Sequence, residues 1–368
     1  MPGKIEASLN EELSSVEWGE YKLGDLFNSS TGDFDIQKEH INNCGEYVIT
    51  SGLTNNGILG KSDVKAKIFD IGTITVDMFG NAFYRQFKYK MVTHARVFSL
   101  KPKFKITDSQ GLFISNALFF LKFNFGYENM CSWEKIKSKK IKLPSKDGKI
   151  DFFFMEKFIA ELEAQRIAEL EAYLSVTGLK NYELTNEEQK ALIYYDKLDW
   201  NNFNLEVLFG RSTRGKRLKS ADRIAGNLPF VTAGESNEGI SAFIGNNVTV
   251  FPKNTTTIDM FGSAKYRNYA YGGDDHIAVV HTEKLSKYAA IFTTAAIHKS
   301  SHTGKFDYGH NFYAKDADEL FISLPVKDNK PDYTTMETLI SAIQKLVIRD
   351  VVLYADKKIC MTKEVIEG

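Results

Sequence analysis

Two periodicities run along the chain. In the segment from residue 155, Met155, Ile159 and Leu162 recur at three- to four-residue spacing, and Met336, Ile340, Ile343 and Val347 repeat the pattern later. That spacing predicts two helices, each with an apolar seam. Asp151 and Asp332 stand where a helix N-terminus needs a cap, and Pro144 and Pro325 close the strand-like runs just before. Elsewhere short β-rich runs alternate with glycine turns. TITVDMF and FYRQFKY flank a Gly-Asn corner, which predicts a hairpin; a Gly-Ser corner occupies the same place in TTTIDMFGSAKYR.

These two hairpins are one phrase used twice. TITVDMFGNAFYR (73–85) and TTTIDMFGSAKYR (255–267) share nine of thirteen residues at an offset of 182. The offset extends outward. Trp18, Leu23, Leu26 and Phe27 map onto Trp200, Leu205, Leu208 and Phe209, and Thr50, Gly52, Asn55 and Gly57 map onto Thr232, Gly234, Asn237 and Gly239. His94 maps onto His276. After a slip of one residue IKLP (141–144) meets ISLP (322–325), and the two seams follow in register. The chain is a tandem duplication, each copy an α/β head followed by a helix.

The fold expected is therefore α+β: two pseudo-twofold related heads separated by two long antiparallel helices that form a coiled coil. The divisions are a polar leader, loosely attached, at 1–17, head 1 at 18–150, the first helix and linker at 151–199, head 2 at 200–330, the second helix at 331–358, and a tail at 359–368. The linker carries a capping box at Thr185 and Glu188, hence a short helix. Roughly 25 helical residues at ~1.5 Å each give a rod of about 37 Å, close to a DNA turn of about 34–36 Å. Such a caliper suits an interrupted, asymmetric DNA site.

Composition adds little, because 47 basic residues balance 47 acidic ones. Placement adds more. RSTRGKRLKSADR (211–223) and EKIKSKKIK (134–142) are strongly basic, as befits a neutral protein touching a polyanion at chosen places, although solvated faces look the same. Cys44, Cys131 and Cys360 form no CxxC pair. The apolar run 112–125 is broken by Asn116 and Lys122 and is too short for a bilayer, so no membrane partner and a cytoplasmic location are expected.

In a duplicated reader, what both heads share should be scaffold or phosphate contact, and what differs should carry sequence information. Asp77 with Asp259, Phe79 with Phe261 and Gly80 with Gly262 read as corner chemistry rather than a metal site. Arg85 and Arg267 suit phosphate anchoring, or equally a solvated strand end. The loops 53–61 and 235–245 differ, and Asn55, Asn56, Lys61, Glu235, Ser236 and Asn237 have side chains able to read base edges. Lys88 and Lys265, close to the repeated arginines, join the candidate contacts. Arg211, Arg214, Lys216, Arg217 and Lys219 have no basic counterpart in copy one and make the strongest single candidate. Five of the seven histidines lie between 276 and 310, but HKSSH (298–302) lacks the Glu of a metalloprotease motif, and no metal is expected. There is no P-loop; NLPF (227–230) lacks the second proline of an amino-methyltransferase motif; PDYTTMETL (331–339) lacks the rest of a nuclease site.

The head-opening W-x(4)-L-x(2)-LF at Trp18 and Trp200, the DMFG hairpin, the Leu-Pro strand end and the helix after each head resemble the specificity subunit of a type I, or type I-like, restriction–modification system. The resemblance covers residues 18–358. It implies two target recognition domains, each reading one half-site on double-stranded DNA, with the helices setting the gap. It implies no catalysis by this chain, two methyltransferase subunits that bind S-adenosylmethionine, and motor–nuclease subunits that use ATP and magnesium. The alternatives are a standalone duplicated nuclease or methyltransferase with a divergent site, and a duplicated scaffold or carbohydrate-binding protein.

Overall fold

The repeated Trp and Leu-Pro motifs meet in a strand pair that opens and closes each head. A computed structural model describes the backbone of residues 3–367 and the side chains of residues 9–360. The chain divides into two units, residues 1–173 with 357–368, and residues 174–356.

In the first unit, helix α1 (Gly3–Ser15) precedes β1 (Trp18–Lys22), α2 (Leu23–Leu26), β2 (Phe27–Thr31), β3 (Glu46–Ile49), β4 (Ile58–Ser62), β5 (Thr73–Val76), β6 (Ala82–Arg85), β7 (Tyr89–Met91) and β8 (Phe98–Pro102). Then come α3 (Asp108–Ala117), a 3-10 helix (Leu118–Phe123), α4 (Trp133–Ile136), β9 (Lys140–Lys146), β10 (Lys149–Ile150) and α5 (Phe152–Val176). Three sheets result, in the orders β1-β9-β10, β2-β8-β5-β6 and β4-β3-β7. Trp18 faces Pro144 across the first. Leu23, Phe27, Ile74, Val76, Leu100, Ile114, Ile141 and Leu143 form the core beneath the four-stranded sheet. A smaller core of Val48, Ile49, Phe69, Tyr89 and Met91 lies under the sheet that holds the parallel pair β3–β7.

The second unit repeats this plan. Linker helix α6 (Asn186–Ile193) leads to β11 (Trp200–Asn204), α7 (Leu205–Phe209), β12 (Thr213–Arg214), β13 (Ala225–Val231), β14 (Ile240–Ile244), β15 (Val250–Phe251), β16 (Thr255–Asp259), β17 (Ala264–Arg267), β18 (Tyr271–Gly273) and β19 (Ile277–Val280). They are followed by α8 (Lys287–Ser301), α9 (Ala314–Asp318), β20 (Phe321–Lys327), β21 (Lys330–Pro331) and α10 (Tyr333–Glu367). The sheet orders are β11-β20-β21, β12-β19-β16-β17 and β14-β13-β18-β15. Trp200 faces Pro325 as Trp18 faces Pro144. Trp18 stacks on Phe113 at 6.4 Å, and Trp200 on Phe292 at 6.2 Å.

The predicted helix starts are present. Asp151 Oδ1 accepts from Phe154 N at 2.9 Å, and Asp332 Oδ1 from Thr335 N at 3.1 Å. Thr185 and Glu188 form the reciprocal capping box of α6.

Three expectations need correction. The leader is helix α1 from Gly3 to Ser15, held by a Glu12–Lys157 ion pair of 3.1 Å and by Trp18 Nε1 donating to Leu13 O. The tail from residue 359 continues α10 as far as Glu367. The seam also differs from its prediction. Met155 is in the core of its own head with Ile159 against it, Met336 is in the core of the other, and Leu162 is half-buried. On α10, Ile343 is 46% exposed and Val347 74% exposed, whereas Leu339, Ala342, Val352 and Ala355 are buried. The reason is a drift around the helix: Met336, Leu339 and Ala342 are buried at steps of three, and each such step moves the buried face about 60° away from Ile343 and Val347. Linker helix α6 meets α10 beside that face, through Glu188 to Ser341 and Lys345. Among the described residues no helix is long and apolar enough to cross a membrane.

Candidate nucleic-acid interface

Each head builds its exposed turns on the same corner. In β5–β6, Val76 pairs with Ala82, and the five residues between them wrap around one carboxylate. Asp77 Oδ1 accepts from Phe79 N and Asn81 N, each at 2.9 Å; Oδ2 accepts from Gly52 N and Asn81 Nδ2, each at 2.8 Å. Asp259 repeats this with Phe261 N, Ser263 N and Gly234 N at 3.0, 3.0 and 3.3 Å. Both aspartates are buried, and their lone pairs are spent on backbone donors, so they fix geometry. Gly80, at φ +80°, completes the corner; a Cβ there would lie 2.7 Å from the Leu121 carbonyl carbon. The corner thereby ties the hairpin to the turn that precedes β4 or β14, through Gly52 and Gly234.

Those turns carry the candidate base readers. Asn55 and Asn56 are exposed with left-handed φ of 48° and 51°, a conformation Asn tolerates best after Gly. Asn237 has φ 49°, and Glu235 and Ser236 beside it are exposed. The expected loops 53–61 and 235–245 are shorter than predicted, because Ile58–Ser62 and Ile240–Ile244 are strands. Lys61 is on such a strand, with Nζ 4.7 Å from the centre of the Tyr47 ring. Lys88 is exposed between β6 and β7. Lys265 is largely covered and committed: its Nζ lies 3.1 Å from Glu235 Oε1, 2.9 Å from Ser263 Oγ and 3.8 Å from Asp259 Oδ2.

The repeated arginines are not phosphate anchors. Arg85 is 2% exposed and Arg267 1% exposed. Arg85 Nε donates to Thr75 Oγ1 at 2.9 Å and Nη2 to Asn56 O at 2.8 Å. Arg267 Nε donates to Thr257 Oγ1 at 2.9 Å and Nη1 to Tyr269 Oη at 3.0 Å. Burial, partly offset by Tyr89, pushes the Arg85 guanidinium down to about 10. Successive strand residues face opposite ways: Ala82 and Tyr84 pack on the main core, which leaves Arg85 on the face roofed by the Asn56 turn.

The basic run behaves differently. Arg211, Arg214, Lys216, Arg217 and Lys219 are all exposed; among the described residues Arg211 alone of them is paired, to Glu206 at 3.1 Å. The backbone beneath them is held in place. Lys216 N donates to Gly273 O and Leu218 N to Asp274 Oδ1. Gly215 approaches so closely that a Cβ would lie 1.8 Å from Gly273 O. Arg223 serves the loop rather than solvent, donating to Leu218 O and to Ser241 Oγ. Cations on a fixed loop suit phosphate contact, since little side-chain-bearing backbone must be ordered on binding.

Sequence reasoning missed the aromatic pairs beside each corner. Phe79 meets Tyr127 edge-on at 5.0 Å, and Phe261 meets Tyr308 at 5.2 Å, with both tyrosines strongly exposed. The slipped offset of 181 that joins the Leu-Pro strands also maps Tyr127 onto Tyr308, so the repeat offered the signal, although the residues on either side differ. Among the described residues, Asp274, Asp275 and His276 bring ligand-type atoms within 4.8 Å of one another. Asp274 already accepts from Leu218 N, which makes it part of the loop anchor. His298 and His302 stack at 4.8 Å, and His298 Nδ1 accepts from Ala264 N.

Comparison with known proteins gives the same duplication. The model of the type I restriction modification DNA specificity domain matches residues 15–172 and again residues 197–352. The type II restriction enzyme BgcI specificity subunit of Heyndrickxia coagulans is 26% identical over 343 residues, which cover 90% of this chain and 96% of that protein. The crystal structure of the type I restriction–modification S subunit from M. genitalium shares the fold at a TM-score of 0.59 and 16% identity, over 95% of this chain and 94% of that one. With two matches that together span most of its length, the chain belongs to the family of type I restriction modification DNA specificity domains and carries two of them.

Proposed function

We propose that this specificity subunit reads a bipartite, asymmetric DNA sequence, one half-site per head, and catalyses nothing itself. The observation that carries the reading is the pairing of sameness and difference in the two heads. The corner at Asp77 and at Asp259 is the same, while the turns it supports present Leu53, Thr54 and Asn56 in one head and Glu235, Ser236 and Glu238 at the matching places in the other. A shared scaffold with divergent exposed turns suits two different half-sites. The basic loop 211–219 would add sequence-independent phosphate contacts.

In this reading helices α5 and α10 pair as an antiparallel coiled coil and set the gap between half-sites. Methyltransferase subunits with S-adenosylmethionine, and motor–nuclease subunits with ATP and magnesium, supply the chemistry. Support for a non-catalytic role comes from the aspartates of the DMFG corners, whose oxygens are engaged by backbone donors. The test is a footprint of the assembled complex on a selected site, repeated after α5 is lengthened by whole turns. The gap should widen with both half-sites intact; an unchanged gap overturns the ruler. Cleavage or methylation by the purified chain alone would overturn the non-catalytic role.

A further inference from the structure

One cavity of the first unit has a composition unlike a protein-packing defect. It encloses about 460 Å³ between the Asn56 turn, strand β6 and the end of α3, a volume within the ordinary range for small-ligand sites. Phe83, Phe87 and Phe119 are among its walls, and Phe119 is 49% exposed at its rim. Arg85 lines it as well. The guanidinium carbon lies 5.2 Å from the centre of the Phe83 ring and 5.9 Å from that of Phe87. Arg85 takes part in no ion pair among the described residues, and its Nη1 donates to nothing there, since the bonds to Thr75 and Asn56 use Nε and Nη2. Asn81, also lining the cavity and 7% exposed, has an Oδ1 that accepts no hydrogen bond.

A buried cation with an uncommitted donor beside aromatic walls asks for a flat, polar-edged ligand. A phosphate fits poorly, because the walls are aromatic and offer no second cation. The edge of a base stacked in a duplex fits no better, since a side chain only 2% exposed is out of reach of a groove. A single base removed from the stack meets both demands: rings to stack on, and an acceptor edge for the guanidinium. Guanine matches best, because its O6 and N7 are the acceptors a guanidinium pairs with.

The second head keeps an aromatic residue, Tyr269, where Phe87 stands, but differs at the other places. The Trp18–Phe113 and Trp200–Phe292 stacks align Phe119 with His298, and the hairpin repeat aligns Phe83 with Lys265. Lys265 is tied to Glu235, and Arg267 spends Nη1 on Tyr269.

We propose that the first head takes one base, a guanine by chemistry, out of the duplex into this cavity, while the second head reads its half-site fully stacked. This rests on the DNA-reading function proposed above. The test places a fluorescent purine analogue at each position of the first head's half-site in turn, bound to the assembled complex. Wild type should brighten one position several-fold. Asn116→Trp, which fills the mouth from an exposed helix position, and Phe119→Ala should each lose that signal while footprints of both half-sites persist. An abasic residue at the same position should make wild type and Asn116→Trp bind equally. Protected half-sites with no position that brightens in wild type and dims in both variants would overturn the cavity and leave the DNA reading intact. Absence of any protected site would overturn both.

Discussion

Arg85 Nε donates to Thr75 Oγ1 at 2.9 Å, from one strand of the hairpin to its neighbour, while its Nη2 reaches Asn56 O in the turn above. The side chain thus bolts an exposed reading turn to a buried strand. Replacing it with methionine keeps the apolar stem and removes both bonds. Arg85→Met should lower stability by about 2–3 kcal/mol, the cost of an unsatisfied carbonyl and hydroxyl, read from urea unfolding. DNA binding should weaken with an unchanged dependence on salt. A salt slope that falls by about 1 would mean that the guanidinium meets a phosphate after all.

The DMFG corner makes a second prediction. Asp77→Ala strands the amides of Phe79, Asn81 and Gly52. The expected loss is about 3 kcal/mol, seen as a lower denaturation midpoint, and magnesium should not alter it in wild type or variant. Gly80→Ala should destabilise comparably, through φ +80° and the close Leu121 carbonyl.

The basic loop should act on affinity alone. Lys216→Ala, Arg217→Ala and Lys219→Ala combined should weaken binding to every sequence alike and reduce the salt slope by about 2–3, at about 0.9 per phosphate contact. Thermal unfolding should be unchanged, because these side chains are exposed and the loop is held by its backbone. A change in half-site preference would instead place them on base edges.

The linker carries a pH-sensitive contact. Burial would raise the Glu188 carboxyl, but hydrogen bonds from Lys345 at 2.8 Å and Ser341 at 2.6 Å hold it below its ordinary 4.5. A depressed carboxylate stabilises fully above its unfolded value and loses that contribution as pH falls through the folded one. Wild type should therefore lose stability below about pH 4.5 more steeply than Glu188→Gln. At neutral pH the Gln variant should be weaker by roughly 3 kcal/mol, since the largely covered Lys345 loses its carboxylate and keeps only the Glu183 carbonyl. Thermal melts across the acid range check both.

Much of this architecture was legible without coordinates, and the reason is redundancy. Two copies of each motif let chance be dismissed, and local chemistry then named the elements: Asp151 and Asp332 as caps, Thr185 with Glu188 as a capping box, DMFG as a corner. Such features depend on neighbours a few residues away, which a sequence displays directly.

Burial does not depend on neighbours in sequence. A strand shows period two, but not which of its faces something else will cover: the Asn56 turn roofs Arg85, and Arg267 is buried with its guanidinium on Tyr269. A helix likewise shows a stripe, but one residue of rotation is about 100°, and tertiary packing turns Leu339 and Ala342 inward rather than Ile343 and Val347. The sequence by itself determined the duplication, the elements and their ends, because these follow from local chemistry. Only the tertiary structure decided which charged groups reach solvent, because that is settled by segments distant in the chain competing to cover the same surface.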